Sequence, residues 1–418
     1  MKGLTKIKAG ALQFVLFIGV VIALLLTGFV LITYTHNFFH KQTDTSIALI
    51  ENTQNAFSYA AGSNNENDLA IPSFNDLNIE TTVSKSYWGV YEKYAVLSKF
   101  KRQQFTRSAL IGKGIESGFK VLYLKDNQRP LVIAGSAKIT GDVALPEQGV
   151  RMGNISGNSY YRNKLIYGRQ NTSRSKLPML DTGLLTNLDR ILEGPDNVEN
   201  RIQLKKGGAY KNSFQKPTDL IIDHTIVLSD LSLTGNFIVY ATHRIVVEPS
   251  AYLNEVILVA PEINIKNNVK GSFQAISTNN ISVGKNCELT YPSAIVLFEN
   301  SEKDELKKSD IPLQIGMGSV INGSVLYLGD IEKQRYFPQI KVENEALIRG
   351  EIYCKGNLEL KGTVLGNVTT NGFLAIENGS IYQNHLYNGV IDGSGLPKEY
   401  VGMVVGESIT KKVAKWLY

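Results

Sequence analysis

Cysteine is almost missing from this 418-residue chain. Only Cys287 and Cys354 are present, too few for a disulfide framework, and both read as buried thiols. Histidine is nearly as scarce, with five residues, so imidazole-based catalysis and metal centres have little to be built from. Neither sign of charge dominates. The net charge of +6 is mild for this length and does not point to a nucleic-acid partner. Proline is sparse too: 12 residues against 37 Gly and 20 Tyr, which suits a strand-rich protein with many tight turns. The length predicts two or three folding units.

What is abundant is a repeat. Apolar-x-apolar pairs fall at Ile226/Leu228, Ile245/Val247, Ile263/Ile265 and Ile281/Val283, in steps of 19, 18 and 18 residues. They return at Leu313/Ile315, Ile340/Val342 and Leu358/Leu360 after two charged interruptions, 301–310 and 332–337. A finer row of six runs within copies: Val247, Leu253, Val259; Val283, Leu289, Ile295; Ile315, Ile321, Tyr327; Val342, Ile348, Cys354. Periods of two and six predict short strands whose inward side chains stack on the copies above and below. Eighteen residues split three ways make one triangular coil, and no coil buries its inward face alone. The expected fold class is mainly β: an N-terminal transmembrane and stalk helix, a small β-rich region, then a single-stranded β-helix solenoid.

Residues 11–34 carry no charge and only Gln13, Thr27 and Thr33 as polar side chains. As a helix they span roughly 36 Å, enough to cross a bilayer. Lys2, Lys6 and Lys8 precede the run, which places the N-terminus in the cytoplasm and the body outside the inner membrane, in the periplasm or beyond. The apolar run is too long for a cleavable signal peptide, and no small-residue cleavage site follows it. A stalk helix is expected over 35–61, amphipathic through Phe38, Phe39, Ile47, Leu49, Ile50 and Ala56, with a boundary at the turn-formers from Gly62.

The basic leader over 1–10, the Gly10–Ala11 junction and the unbroken apolar helix after it resemble the start of a type IV pilin or pseudopilin. That resemblance implies cleavage after Gly10, with Ala11 as the mature N-terminus, and contact with other pilin-like subunits through this helix. The family's usual glutamate five residues after the cut is absent, and Val15 stands there. In this the chain is similar to the K-type pseudopilins and X-type minor pilins thought to sit at filament tips. An ordinary single-pass anchor shares the same lysine-flanked run.

Residues 62–129 read as a basic, aromatic, β-rich region. Trp88 with Lys99, Lys101 and Arg102 are candidate ligand contacts there, for a glycan or a single strand. The plainer reading is a sheet with a packed aromatic face and a solvated charged one. Residues 130–158 read as the first coils. The long insertion over 159–217 contains Tyr160, Tyr161, Arg162 and Tyr167, also candidate ligand contacts, and a helix around 184–192 expected to lie on the stack. Insertions in such arrays often carry binding. The main array covers 218–394, and 395–418 is expected to cap its last coil. Phrases such as Ile315-Gly-Met-Gly-Ser-Val-Ile-Asn-Gly-Ser-Val-Leu resemble bactofilins, which are polymer-forming scaffolds, and equally left-handed hexapeptide acyltransferases.

His224 and His243 sit at equivalent positions of successive copies. Imidazoles stacked about 5 Å apart are a candidate metal pair or, more plainly, a polar ladder, since no third ligand is visibly placed. Asp219, Asp223, Asp230 and Glu248 are scattered rather than clustered as a polysaccharide lyase requires. Glu262, Glu343 and Glu359 read as outward, solvent-facing positions. No cofactor and no enzymatic activity are expected. The function expected is that of a membrane-anchored envelope protein, a pilin-like or pseudopilin-like minor subunit with an exposed β-helix head, acting in filament assembly, secretion or adhesion. The alternative is a plain anchored β-helix that binds a glycan or an envelope protein. A polysaccharide-cleaving enzyme on the same scaffold stands behind both.

Overall fold

A single helix, α1 (Ala9–Gly62), runs unbroken through the apolar segment and on into the stalk region. The structure is a computed structural model and describes residues 9–62, 78–115, 118–194, 201–299, 311–329, 336–403 and 411–417. The basic leader, interruption 301–310 and most of 332–337 lie outside the described residues. One 18-residue window of α1 has a mean hydropathy of 3.1 and no buried residue, so the helix is long and apolar enough to cross a membrane. Hydroxyls on its exposed part are satisfied within the helix: Thr27, Thr35 and Thr43 each donate to the carbonyl four residues back.

Further along, Leu49, Asn52, Thr53, Ala56, Phe57 and Ala60 are buried, a stripe at spacings of three and four that gives the helix one covered face. Asn52 donates to Thr81 and Ser98, and Thr53 donates to the Ser98 hydroxyl at 2.8 Å. Of the apolar residues expected on the stalk's packed face, Leu49 and Ala56 lie on this stripe; Phe38, Phe39, Ile47 and Ile50 are exposed. Asn52 and Thr53 share the covered face because their side chains pair with Thr81 and Ser98. These contacts belong to the first of two compact units, Met1–Ala60 with Asn67–Val83 and Val96–Thr106.

The second unit comprises Ala61–Glu66, Ser84–Ala95 and Arg107–Tyr418. The strands β1 (Glu80–Trp88), β2 (Tyr91–Phe100) and β3 (Gln103–Gly114) lie side by side in that order. The C-terminal residues complete their sheet. Val401–Gly402 and Lys411–Leu417 both pair antiparallel with β3, so the tail expected to cap the last coil is instead a sheet strand. Its alternation of lysines with Val413, Trp416 and Leu417 suits a strand with one covered side.

Most other strands form one closed, mainly parallel sheet. Its register reproduces the apolar pairs. Ile226 pairs with Ile245, then Ile263, Ile281, Leu313, Ile340 and Leu358 in succession. A second inward ladder is Val239–Leu258–Ala275–Ile295–Val325–Ile352–Val368. A third is Leu289–Ile321–Ile348–Val364–Ile391. Side chains from all three meet in one continuous apolar core. The six-residue row fails at one place. Glu255 adopts φ 63°, and the register slips between Asn254 and Val256. One extra residue therefore turns Leu258 inward and Val259 outward.

The order of stacking differs from the order of the chain. The early strands Leu122–Leu124 and Lys138–Thr140 do not sit on the strand Asp219–Leu228. They pair with the last ones: Val368 with Leu122, and Ile391 with Ile139. The chain then returns along the outside of the sheet through residues 173–194. Tyr123 donates to the Lys176 carbonyl at 3.0 Å and Tyr353 to the Pro178 carbonyl at 2.7 Å. Helix α2 (Thr182–Glu193) follows, and Arg201 bridges to Leu220 at the far end. An insertion that covers the whole sheet lengthwise explains why one outer face is apolar. Ile257, Val259, Ile276, Ala294, Val296, Leu326 and Tyr353 pack beneath Leu180, Leu184 and Leu188 and the β1–β2 turn. Continuous apolar runs such as Val256–Ala260 mark strands covered on both sides.

Candidate functional site

The candidate residues named from the sequence do not converge on one site, though His224 meets His243 and Arg162 meets Tyr161. Gly10 and Ala11 lie exposed in the first turns of α1, and a Cβ added at Gly10 meets nothing within 4 Å. Lys99, Lys101 and Arg102 are exposed at the β2–β3 turn, in the first unit. The Lys101 ammonium lies 5.1 Å from the Phe100 ring.

Trp88 is no ligand contact: it is buried and packs edge-on against Phe214 with ring centroids 5.1 Å apart. The turn after it is clamped by the side-chain amide of Gln274, which accepts from Val90 N at 2.8 Å and donates to the Trp88 carbonyl at 3.0 Å. Gly89 between them has φ +61°, and a Cβ there falls 1.9 Å from the Gln274 oxygen; only glycine fits.

In the insertion, Tyr160 is buried and donates to the Lys164 carbonyl, and burial raises its pKa. Tyr161 is exposed beneath the Arg162 guanidinium, 5.2 Å from the ring, while Tyr167 faces Lys138 at 5.8 Å. Tyr161 is therefore open to a ligand and Tyr160 is not, while Arg162 is half-buried and donates to the Ser136 carbonyl.

His224 and His243 stack with centroids 5.3 Å apart and 14° between planes. Nδ1 of His224 lies 2.9 Å from the Thr242 hydroxyl. Among the described residues no group of three potential ligands surrounds a metal position. Glu262 and Glu343 are ion-paired, to Arg244 at 2.6 Å and Lys341 at 2.7 Å. Glu359, expected at a solvent-facing position, is buried at 2% exposure beside Lys361.

Two sites emerge that the sequence did not single out. The first is a groove of about 260 Å³ between the returning segment and the outer face of the sheet, lined by Lys125, Lys176, Lys355, Leu177, Leu180, Met179, Leu185, Ser175, Thr182 and Tyr353. Its position follows from the pegs already described, because Tyr353 and Tyr123 flank Thr369 in one outward ladder. Lys355 and Lys125 follow Cys354 and Leu124, which both pair with Thr370. The second is a buried polar cluster. Glu351 accepts from Met403 N at 2.9 Å, Tyr291 donates to the Val401 carbonyl at 2.8 Å, and Tyr400 donates to the Gly323 carbonyl at 3.3 Å. The Tyr91 and Ser324 side chains, both buried, belong to the same cluster. Burial pushes the Glu351 carboxyl up to about 7. A second recess, beside Asp142, has its carboxylate occupied by Arg169, whose backbone N–H donates at 2.9 Å and whose guanidinium lies 2.8 Å away; the backbone hydrogen bond first, then the side chain, holds the Asp142 pKa down.

Comparison with family models, with curated proteins and with solved structures gives no match.

Proposed function

We propose that the chain is a non-enzymatic, membrane-anchored envelope protein whose N-terminal helix behaves as that of a minor pilin or pseudopilin and whose parallel sheet is a triangular β-helix head. The observation that carries this reading is the continuity of α1. One helix is exposed and apolar over its first half and carries a buried stripe over its last turns. A membrane span that continues into a packed stalk is what a pilin-like subunit requires of its N-terminal helix. The solenoid reading is supported by the three inward ladders and their shared core.

The N-terminus lies in the cytoplasm and the head in the periplasm or outside the cell, on the charge asymmetry of the leader. Through the helix the protein contacts lipid and other pilin-like subunits. The insertion on the head contacts an envelope protein or a glycan. Fractionation tests the anchoring: the full chain stays in the membrane after alkaline carbonate washing, and deletion of residues 11–34 releases it. Release of the full chain by carbonate contradicts the reading.

The second reading is a plain anchored β-helix with no filament. Val15 favours it, standing where a filament-forming subunit ordinarily carries a carboxylate. Processing after Gly10 separates the two.

A further inference from the structure

We infer that the groove beneath the returning segment binds an acidic peptide carrying an apolar side chain, supplied by a partner protein. The argument starts from charge. Lys125, Lys176 and Lys355 line the same groove, and among the described residues no carboxylate forms an ion pair with any of them. Elsewhere on the sheet some cations are paired, Arg244 with Glu262, Lys270 with Glu288 and Lys341 with Glu343; among the described residues, the groove gathers three that are not. Three unneutralised lysines around one depression repel one another, and an acidic ligand relieves that repulsion.

The carboxylate adjoining the groove is not available to do so. Asp181 caps α2, accepting from Leu184 N at 3.0 Å and from the Tyr87 hydroxyl at 2.6 Å.

The floor decides the class of ligand. It consists of Leu177, Leu180, Leu185 and Met179, and Met179 stands 71% exposed. The only aromatic lining residue, Tyr353, is buried and donates its hydroxyl to Pro178, so it presents no free ring face for a sugar to stack on. An apolar, thioether-bearing floor inside a cationic rim suits a peptide that anchors one or two aliphatic side chains and sets carboxylates on the lysines. A volume of about 260 Å³ holds side chains of that size and is small for a folded element. The groove is built by the insertion that joins the early strands to the start of the main array, where an array is expected to carry its binding function.

This proposal rests on the reading of the body as a binding head, but not on how the N-terminus is processed. Its test is fluorescence anisotropy on the full chain in detergent, with a labelled peptide of about twelve residues that alternates glutamate pairs with single leucines. Saturable binding is expected, weakening at least about tenfold when Lys125→Glu, Lys176→Glu and Lys355→Glu are combined, and weakening also in Met179→Asp. Lys176→Glu alone, at an exposed position, serves if the triple variant shifts the thermal midpoint. An oligoglutamate of equal length binds more weakly, and polygalacturonate at equal charge does not compete. The proposal is overturned if the peptide shows no saturable binding, if charge reversal leaves its affinity unchanged, or if oligoglutamate or polygalacturonate binds as well. Any of those results leaves the proposed N-terminal processing intact.

Discussion

Ile391 lies in parallel register with Ile139, although the two are separated by more than half the chain. The strand written near the end of the sequence thus carries a strand written near its beginning. The returning segment 173–194 is the physical consequence, because the chain leaves the early strands and runs back over the outer face before the main array starts at Asp219.

That order is open to a direct crosslinking check. Val390 and Lys138 are register partners at half-exposed positions, and neighbouring strands lie about 4.8 Å apart, within disulfide reach. Val390→Cys with Lys138→Cys is expected to crosslink on oxidation, and Asp219→Cys with Lys138→Cys is not. The native Cys287 and Cys354 are buried and do not compete. A crosslink only in the second pair contradicts the stacking order.

Inward and outward positions of the same strand should differ sharply. Ile340 is fully buried in the first ladder, while Val227, between Ile226 and Leu228, is 53% exposed. Ile340→Ala is expected to cost about 2–5 kcal/mol through lost burial and a cavity. Val227→Ala should cost less than about 0.5 kcal/mol. Denaturant unfolding of the two variants measures the contrast.

The returning segment is held by Asp181. Removing its carboxylate in Asp181→Ala strips the α2 cap and leaves the Tyr87 hydroxyl without its acceptor. A loss of about 1–2 kcal/mol is expected. Tyr87→Phe should lose less, and a double-mutant cycle should show coupling between the two.

Glu351 sets a pH dependence. Its folded pKa is raised by burial to about 7 from 4.5, with Lys113 and the Met403 N–H opposing. Tyr91, Tyr291 and Tyr400 beside it are themselves raised, first by burial, and stay protonated through the window. Between about pH 4.5 and 7 the folded chain holds a proton that the unfolded chain has released. Stability from this group is therefore fully present below about 4.5, falls by about 3 kcal/mol as pH rises to 7, and is flat above. Thermal midpoints of the native chain and of Glu351→Gln should converge at low pH in slope, with the variant losing the decline. An unchanged slope in Glu351→Gln contradicts this assignment.

The sequence was readable where one side chain's environment repeats. Ile245, Ile263 and Ile281 face the same interior, so a period of two inside a period of 18 announces the ladder, and the register follows it residue for residue. The six-residue row was less dependable, because Glu255 absorbs one residue at positive φ and exchanges the faces of Leu258 and Val259. Stacking order was not readable at all. The pattern around Ile139 says that this strand needs neighbours of its own kind, not that Ile391 supplies one. The stalk's buried stripe escaped for another reason: Asn52 and Thr53 are satisfied by Ser98, a pairing no hydrophobic periodicity records. The lysine groove draws Lys125, Lys176 and Lys355 from three distant segments, so nothing in their spacing gathers them. The insertion that forms it was visible as an interruption of the repeat.

The proposed pilin-like role of α1 is tested by the mass of the mature N-terminus, taken on protein purified from its native membrane. A chain that begins at Ala11 and carries an N-methyl group is expected. A chain that retains Met1 or Lys2 contradicts it, and leaves a single-pass anchored head with no filament to enter.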